Sequence, residues 1–466
     1  MLKMGHLSIF SLVLCLSGIW STAAEINSPL RICPENPRYF SGADGHAIFL
    51  TGSHVWYNLV DMGPTDPPQK FGYTAYLNWM KNYNHNFMRM WAWELIAWNT
   101  QNNGPHRNEH TFFHVQPLPW QRTGPGEALD GKPKFDLTKF NPEYFERLRE
   151  RVRQAQDEGI YVSVMLFEGW GMQFVDDALK YHPFNRENNI NGVHGDQNGD
   201  GKGLEIHELV IPEITEIQEE YVKKVIDTIN EFDNVLYEIS NENHPESTEW
   251  QYHMIKFIHD FEKDKPKQHP VGMTFQYKGG SNQTLFDSPA DWISPNHEDG
   301  YRDNPPAADG KKVILNDTDH LWGIGGNRAW VWKSVCRGMN PIFMDPYDGV
   351  VLGKKFDPQW ESIRQNLGYA RQILERLNVT DMVPHDDLVS SGYSLAAPGS
   401  KYLVYLPQGS EVNIDLTGHE GRFRVRWLNP ENGERQRGEA ISGGKKATLQ
   451  NPFGEGDAIL VLRVQQ

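Results

Sequence analysis

Cysteine is scarce in this chain. Its 466 residues include three cysteines, and one of them, Cys15, lies within an apolar stretch near the N-terminus. With so few thiols, disulfide bonds cannot be the main device that holds the fold together. Cys33 and Cys336 remain as one pair, and whether they form a bridge stays open. A chain of this length is expected to form one large domain and a small second one.

Positive charge is also in short supply. Lysine and arginine number 45 against 61 aspartates and glutamates, so the formal net charge is −16. Nucleic acids and anionic membranes attract proteins through a basic face, and this charge therefore argues against both as partners. A neutral or cationic ligand is compatible with it.

Long apolar runs are missing beyond the N-terminus, so the sequence predicts no membrane span. The first segment has Lys3 and His6, then an apolar stretch at 7–20, and then four small residues. That is the layout of a secretory signal peptide. We therefore expect residues 1–24 to be removed and the mature protein to be secreted, into an extracellular or periplasmic space.

Aromatic residues, in contrast, are plentiful. They make up 12% of the chain, with 15 Trp and 18 Tyr. Flat aromatic faces suit the apolar faces of sugar rings, although most of these side chains are expected to fill the core.

Short apolar runs alternate with helical stretches between about 47 and 377, which is typical of βα units and a parallel sheet. Eight strands are predicted, at 47–52, 86–91, 160–167, 234–241, 270–275, 291–295, 312–317 and 340–345. Helices are predicted at 144–158, 250–263, 327–338 and 358–377, and another begins at Pro212. The pattern predicts an α/β fold, a (β/α)8 TIM barrel at 25–380, with short units after strands five and six.

Two connections after strands are long, at 92–142 and 168–210. Both follow the carboxyl ends of strands, which is the active face of such a barrel, so we expect them to form the walls of a cleft.

Beyond about 381 the pattern changes to a period of two, with turn signals between the runs. Strands are predicted at 401–406, 412–416, 423–427, 446–449 and 458–464. Residues 381–466 are therefore predicted to form a small antiparallel β-sandwich.

The most informative segment reads NVLYEISNEN and runs from Asn234 to Asn243. It places the amide of Asn241 and the carboxylate of Glu242 at the end of a predicted strand. Splitting an acetal requires one carboxylic acid and a second carboxylate, and the partner should end a strand across the barrel. The run KVILND offers Asp317, which stays in register with its strand and is ranked ahead of Asp319. Glu298 is a third candidate.

These residues resemble the clan A retaining glycoside hydrolases, which are cellulase-like TIM barrels. The resemblance implies that Glu242 is the general acid/base and that Asn241 bonds the substrate hydroxyl beside the bond being broken. It also implies a nucleophile at the end of strand seven, where the family normally has Glu and this chain has Asp317. Arg89, in NFMRMWAWE, matches the strand-two Arg of these enzymes, whose charge lowers the pKa of a nearby carboxylate.

The C-terminal stretches YLVYLPQGSEVNIDL and VRWLNPENGE resemble the collagen-binding module found after barrels in bacterial secreted proteins. This says little about a ligand, since sandwiches carry many functions.

Other side chains near predicted strand ends are candidates for contacts with a sugar, although each aromatic ring could instead be packing. They are Trp56, Trp91, Trp93, Trp170, Trp322, Tyr347, His54, His297 and His320. The histidine spacing matches no zinc motif. The pair Asp317 and Asp319 could alternatively hold a divalent cation.

The segment from Asp196 to Gly201 looks like the start of a calcium loop. Oxygen-bearing side chains alternate at Asp196, Asn198 and Asp200, and a glycine follows at the sharp turn. The twelfth position of the loop is His207, and an acid arrives only at Glu208. Structural calcium is therefore one expectation, and a plain Asn/Asp/Gly loop is the other.

Taken together, the sequence predicts a secreted glycoside hydrolase that acts on a poly- or oligosaccharide with retention and requires no cofactor. Two alternatives stay open: a carbohydrate-binding pseudoenzyme, and a metal-dependent hydrolase that uses Asp317, Asp319 and a neighbouring His. The sugar, the linkage and the oligomeric state are not determined by the sequence.

Overall fold

The computed structural model describes residues 26–99, 112–353 and 356–465. The predicted signal peptide, 1–24, lies outside these residues. Eight parallel strands form one sheet whose order follows the chain. They are β1 (Gly52–His54), β2 (Phe87–Met90), β3 (Tyr161–Glu168), β4 (Val235–Asn241), β5 (Val271–Thr274), β6 (Trp292–Ser294), β7 (Val313–Asp317) and β8 (Asn340–Met344).

The sheet curls into a barrel. Strand β8 pairs in parallel with β1, with Met344 opposite His54. Between β1 and β2 the carbonyl of Thr51 accepts from the backbone N–H groups of Asn86 and Phe87, at 3.0 and 3.2 Å. These bonds bring the edges of the sheet together, and the predicted TIM barrel is confirmed.

Helices surround the barrel. They span Tyr73–Asn82, Pro142–Asp157, Trp170–Phe174, Pro212–Ile229, Thr248–Glu262, Asn282–Asp287, Thr318–Trp322, Arg328–Cys336 and Pro358–Leu377. Two of the long helices begin alike: Asn141 and Asp357 each precede a proline and accept a bond from the residue after that proline. Proline suits the first helical position because a backbone N–H at that position would have no acceptor within the helix, so its absence costs nothing. The short units predicted after β5 and β6 are present, as Asn282–Asp287 and the 3₁₀ turn Glu298–Gly300.

The prediction for the first strand was wrong in its bounds. The run at 47–52 divides, because Ala47–Ile48 pairs antiparallel with Phe40–Ser41 and belongs to a separate three-stranded sheet with Arg31–Ile32. The barrel strand starts only at Gly52, where a Cβ would lie 2.1 Å from the carbonyl oxygen of Phe87. His54 therefore ends the strand instead of following it.

The two long connections carry further structure. The first contains Ala97–Asn99 and Phe112–Gln116, which form a sheet with Asp61–Gly63, and a hairpin of Trp120–Glu127 and Pro133–Phe140. The second contains the helix Trp170–Phe174 and the 3₁₀ turns Ala178–Tyr181 and Leu204–His207. Both lie beyond the carboxyl ends of β2 and β3, as predicted.

The C-terminal strands form two antiparallel sheets. The larger contains Val383–Pro384, Ser394–Ala397, Lys401–Leu406, Ala458–Val464, Arg422–Leu428 and Arg435–Ser442, in that order across the sheet; the smaller pairs Glu411–Asp415 with Lys446–Gln450. Val404, Val412 and Leu460 are among the buried residues of their shared core. The predicted sandwich is confirmed.

A separate apolar cluster joins the sandwich to the barrel. Trp332 and Leu374, on two barrel helices, pack with Leu403 and Ile459 of the sandwich. Lys401 donates to the carbonyls of Leu377 and Asn378, which terminate the last barrel helix, at 2.8 and 2.6 Å. A lysine is favourable at a helix C-terminus because it complements the free carbonyls.

Cys33 and Cys336 are buried and are not bridged to each other. Burial raises the pKa of the Cys336 thiol to about 12. Among the described residues, no helix has the length and apolar character that crossing a membrane requires.

Candidate active site

The barrel interior has two layers of different character. At the amino ends of the strands it is apolar, with Phe87, Leu236, Trp292 and Leu315 among its residues. A Cβ at Gly272 would lie 1.9 Å from the Trp292 ring, so glycine admits the indole into the barrel. Side chains two positions farther along β2, β4 and β7 point the same way, because side chains alternate along a strand. These are Arg89, Glu238 and Asp317, and the carboxyl end of the barrel is therefore polar.

Arg89 is the centre of this polar layer and is 1% exposed. All five of its N–H groups have acceptors: Nε donates to Glu238 at 2.9 Å, Nη2 to Glu238 and Asn241 at 2.5 Å each, and Nη1 to Asp317 at 3.0 Å and Asp319 at 2.9 Å. A guanidinium that is fully engaged has one orientation, so Arg89 fixes the positions of the groups it binds.

Asp317 is the last residue of β7 and is completely buried. The indole of Trp91 donates to His54 Nδ1 at 3.0 Å, so the proton of a neutral His54 sits on Nε2 and is donated to Asp317 at 2.9 Å. The backbone N–H of Asp319 donates to the same carboxylate at 3.0 Å. Burial would raise the pKa of Asp317, but His54 and Arg89 together hold it well below its usual range.

Asp319 is the shallower of the two acids. It lies in the first turn of the short helix Thr318–Trp322, and its Oδ2 accepts from Arg89. Its Oδ1 has no hydrogen-bond partner in the described part of the chain. Burial and the charge of Asp317 raise the pKa of Asp319 to about 6, although Arg89 opposes them. Asp319 is therefore mostly ionised at pH 7.

Glu242 directly follows β4 and has a left-handed backbone, with φ of 43°. That conformation is uncommon for a residue with a side chain and is often found at functional sites. The side-chain amide of Gln173 donates to its carbonyl at 2.6 Å. Burial first, and then the negative charge of Asp319, raise the pKa of Glu242 well above its usual range, while Arg89 opposes them. Burial and the charge of Asp319 therefore favour the protonated form of Glu242.

Asn241 is oriented by its neighbours. Its Oδ1 accepts from Arg89 at 2.5 Å and faces His320 Nε2 at 3.1 Å, while Ser294 Oγ bonds His320 Nδ1 at 2.7 Å. Burial and the nearby Arg89 lower the pKa of His320 to about 3, so this histidine is neutral. With Oδ1 occupied, the amide nitrogen of Asn241 is the group left for a ligand; it has no bond within the described residues.

A second buried group of acids and histidines lies behind Glu242. Glu94 accepts from the backbone N–H of Glu168 at 2.8 Å and bonds His207 at 2.9 Å and His182 at 3.3 Å. Glu168 in turn accepts from the backbone N–H groups of Trp170 and Gly171, at 2.8 and 2.7 Å. Burial raises the pKa of Glu168 to about 8. This group ties β3 to both long connections.

The predicted aromatic residues divide into two sets. Trp56, Trp91 and Trp93 are buried, and Trp91 stacks beneath Arg89, with 4.9 Å between the guanidinium carbon and the ring centroid. Trp170, Trp322 and Tyr347 are partly exposed. Trp170 packs on Trp56, with ring centroids 5.0 Å apart.

His297 and Glu298 are both exposed at the end of β6. No hydrogen bond or ion pair connects either of them to Arg89 or its partners in the residues that the structure describes. The structure thus brings Glu242, Asp317, Asp319, Arg89, Asn241 and His320 together and leaves His297 and Glu298 apart.

Among the acids of these two buried groups, sequence reasoning missed Glu94, Glu168 and Glu238. A signal for Glu238 was present, because it is a charged residue inside an apolar strand and shares the inward register of Arg89. No comparable signal was present for Glu94, because its partners His182 and His207 come from a connection about a hundred residues farther along the chain.

A cleft of about 560 Å³ lies near the carboxyl end of β4, and one of its lining residues, Gln173, donates to the backbone carbonyl of Glu242. Gln173, Asp200, Leu204, His244 and Glu246 are among its lining residues. One wall thus comes from the long connection after β3, as predicted.

Comparison with known proteins agrees with this architecture. Residues 381–463 match the family described as "Putative collagen-binding domain of a collagenase", and residues 107–279 match a domain of unknown function, DUF6298. No curated protein matches the chain.

Two solved structures resemble the whole chain. A protein described as a glycoside hydrolase has a TM-score of 0.60 at 12% identity, covering 94% of this chain and 97% of its own. A glycoside hydrolase family 5 protein from Bacteroides vulgatus ATCC 8482 has a TM-score of 0.58 at 14% identity, covering 94% and 93%. At such identities the likeness establishes the fold. The resemblance predicted from the sequence is thus confirmed for the architecture and for the C-terminal module.

Proposed function

We propose that this protein is a secreted glycoside hydrolase that cleaves a glycosidic bond of a poly- or oligosaccharide with retention of configuration. One observation carries the proposal. Two buried carboxyls, Glu242 and Asp319, lie at the carboxyl end of the barrel. Burial favours the protonated form of Glu242 and the Arg89 contact favours the ionised form of Asp319, and acetal cleavage needs one carboxyl in each form.

In the first step Glu242 donates its proton to the glycosidic oxygen while a carboxylate attacks the anomeric carbon from the other side. The C–O bond to the leaving group breaks and a glycosyl ester forms. In the second step Glu242, now ionised, takes a proton from water, and the water releases the sugar and restores the carboxylate.

Strand register ranks Asp317 first for the attack, but the contacts support Asp319. Both oxygens of Asp317 accept hydrogen bonds, and its side chain is 0% exposed. Asp319 has one oxygen without a partner in the described residues, and its side chain is 4% exposed. The charge of Asp319 also raises the pKa of Glu242. We therefore assign the attack to Asp319 and treat Asp317 as a positioning residue.

This arrangement also explains how Glu242 changes from acid to base. Part of its raised pKa comes from the negative charge of Asp319. Once Asp319 forms an ester, that charge is gone and the pKa of Glu242 falls. As this charge disappears during the attack, Glu242 gives its proton to the leaving oxygen, and in the second step the ionised Glu242 accepts a proton from water.

Substrate contacts follow from the groups left open at the site. The amide nitrogen of Asn241 is fixed toward the ligand by Arg89 and His320 and can donate to a sugar hydroxyl. The partly exposed rings of Trp170, Trp322 and Tyr347 supply flat faces for sugar rings. His297, being exposed and away from these groups, would contact only a longer chain.

The metal-dependent alternative conflicts with one feature of the site. Nη1 of Arg89 lies 3.0 Å from Asp317 and 2.9 Å from Asp319, so a positive charge already stands between the carboxylates that would hold the ion. A cation placed there would meet like-charge repulsion. The reaction proposed here uses no cofactor.

The test is a glycan panel, with the configuration of the first-formed product read by NMR, followed by trapping with a slow-leaving fluoro-sugar of the matching configuration. We expect retained product and a covalent adduct on Asp319. Glu242→Gln serves as the matched variant, because it keeps the size of the side chain and removes the acid.

Other results would overturn the proposal in different ways. Binding without turnover of any glycan indicates a pseudoenzyme, and inverted product excludes the covalent ester. Complete loss of turnover on chelation, restored by zinc, favours a metal-dependent hydrolase. An adduct on Asp317 keeps the reaction and reverses the roles of the two aspartates.

A further inference from the structure

The loop from Asp196 to Glu205 gathers acidic side chains from positions close in sequence. One carboxylate oxygen from each of Asp196, Asp200 and Glu205 lies within 4.8 Å of the others. The oxygens of Asp196 accept from three backbone N–H groups, those of Gly199, Asp200 and Gly201, and so hold the loop in a tight turn. An exposed acidic turn of this kind is by itself common.

Glu205 distinguishes this loop from an ordinary turn. It is only 6% exposed, and its Oε1 accepts from the backbone N–H of Asn198 at 2.9 Å. Its Oε2 is buried and has no hydrogen-bond partner within the ranges that the structure describes. A buried carboxylate oxygen without a partner is costly, and more so with two further carboxylates nearby. The oxygen therefore points to a ligand that supplies positive charge.

We infer that this loop binds one calcium ion through Asp196, Asn198, Asp200 and Glu205. All four offer hard oxygen ligands and none offers an imidazole or a thiolate, which favours calcium over zinc. The negative charge of three carboxylates exceeds the positive charge of one calcium ion. Lys202 compensates for this excess, because its Nζ lies 3.3 Å from Asp200 Oδ2. Lys202 is 67% exposed at its side chain, so it can turn away if the ion needs that oxygen.

The structure also corrects which acid completes the loop. Sequence spacing drew attention to His207 and Glu208, but both face other partners: His207 bonds Glu94 at 2.9 Å, and Glu208 bonds His244 at 3.1 Å. The 3₁₀ turn Leu204–His207 instead directs Glu205 back toward Asp196.

Calcium bound to this loop would affect the wall of the cleft. Asp200, Gly201, Lys202 and Leu204 line the cleft beside His244. An ion that joins Asp196 to Glu205 would therefore hold this wall in place. The effect on sugar binding rests on the proposed function, whereas binding of the ion does not.

The experiment uses the full chain, stripped of metal with EDTA and dialysed, with calcium as the only added ligand. Isothermal titration gives the affinity, and thermal unfolding with and without calcium gives the shift in Tm. We expect one calcium per chain and a higher Tm in its presence. Asp196→Asn and Glu205→Gln should each weaken binding about tenfold or more, because each removes a charged ligand.

Glu208→Gln is the matched control, since it removes the same charge three residues away and should bind calcium within about twofold of the unaltered chain. Circular dichroism checks that each variant is folded; if Glu205→Gln is not, Asp196→Asn still tests the site. No binding at millimolar calcium, or loss of binding in Glu208→Gln but not in Asp196→Asn, would overturn the inference. Neither result depends on hydrolysis, so this site and the proposed function fail separately.

Discussion

Replacing Asp317 with asparagine separates the roles of the two aspartates. In the unaltered protein, attack by Asp319 requires its ionised form, and its pKa is raised to about 6. Below that pH Asp319 takes up a proton, so kcat/KM should fall on the acid side with a midpoint near 6. On the alkaline side, kcat/KM should fall as Glu242 loses its proton.

The size of the expected shift follows from the geometry. Asp317 and Asp319 both contact Nη1 of Arg89, at 3.0 and 2.9 Å, so the two bound oxygens cannot be much more than about 6 Å apart. Two unit charges at ~6 Å repel by roughly 3 kcal/mol at an effective dielectric constant of 20, which corresponds to ~2 pKa units. Arg89 screens part of this. Asp317→Asn should therefore lower the midpoint of the acid-side fall in kcat/KM by about 1–2 pH units.

The assay is kcat/KM across pH 3–10 with an aryl glycoside, whose leaving group needs little help from an acid. Asp317→Asn should keep measurable turnover, because the amide oxygen of the substituted side chain can still accept from His54, while Asp319→Asn should lose nearly all. An acid-side midpoint that stays near 6 in Asp317→Asn would show that Asp319 is not the titrating group. Total loss in Asp317→Asn together with activity in Asp319→Asn would return the attack to Asp317.

Three further predictions concern other residues. Glu242→Gln should lose about 10²–10⁴ in turnover of natural substrates while sparing the first step with an activated leaving group, and near-normal hydrolysis of a natural glycan would remove Glu242 from the mechanism. Trp332→Ala should cost about 3–5 kcal/mol in urea unfolding, because Trp332 is fully buried between barrel and sandwich; an unchanged midpoint would show that the contact is not stabilising. Glu168 has its pKa raised from 4.5 to about 8, so its contribution to stability is complete below pH 4.5 and is lost as the pH rises through 8. Glu168→Gln should therefore flatten the fall in stability between about pH 4.5 and 8, and parallel curves would contradict this.

Much of the fold followed from the sequence because its signals are local. Seven of the eight barrel strands were predicted within a residue or two, since each is a short apolar run bounded by polar or turn residues. The first strand was misplaced because Ala47–Ile48 pairs with Phe40–Ser41, and neither sequence segment indicates which strand it pairs with. In the sandwich, Ser394–Ala397 and Arg435–Ser442 were not predicted; the second is exposed along most of its length and lacks an apolar face.

The candidate site divides in the same way. Glu242, Asn241, Arg89 and the pair Asp317 and Asp319 could be selected because each lies at or near the end of a predicted strand, and parallel strands in a barrel end at one face. The sequence by itself thus indicated Glu242, Asp317 and Asp319, although it missed Glu94, Glu168 and Glu238 and also offered Glu298, which lies apart.

Only the tertiary structure decided what each acid does there. Protonation depends on burial and on charges that come from distant parts of the chain. His54, Arg89 and the N–H of Asp319 converge on Asp317 and favour its ionised form. The carboxyl of Glu242 has no such donor among the described residues, and burial and the charge of Asp319 favour its protonated form. Likewise, the burial of Glu205 beside Asp196, and not its place in a motif, makes the loop a candidate for calcium. Local pattern fixes where a carboxylate stands along the chain, while its charge is set by neighbours that only folding brings within a few ångströms.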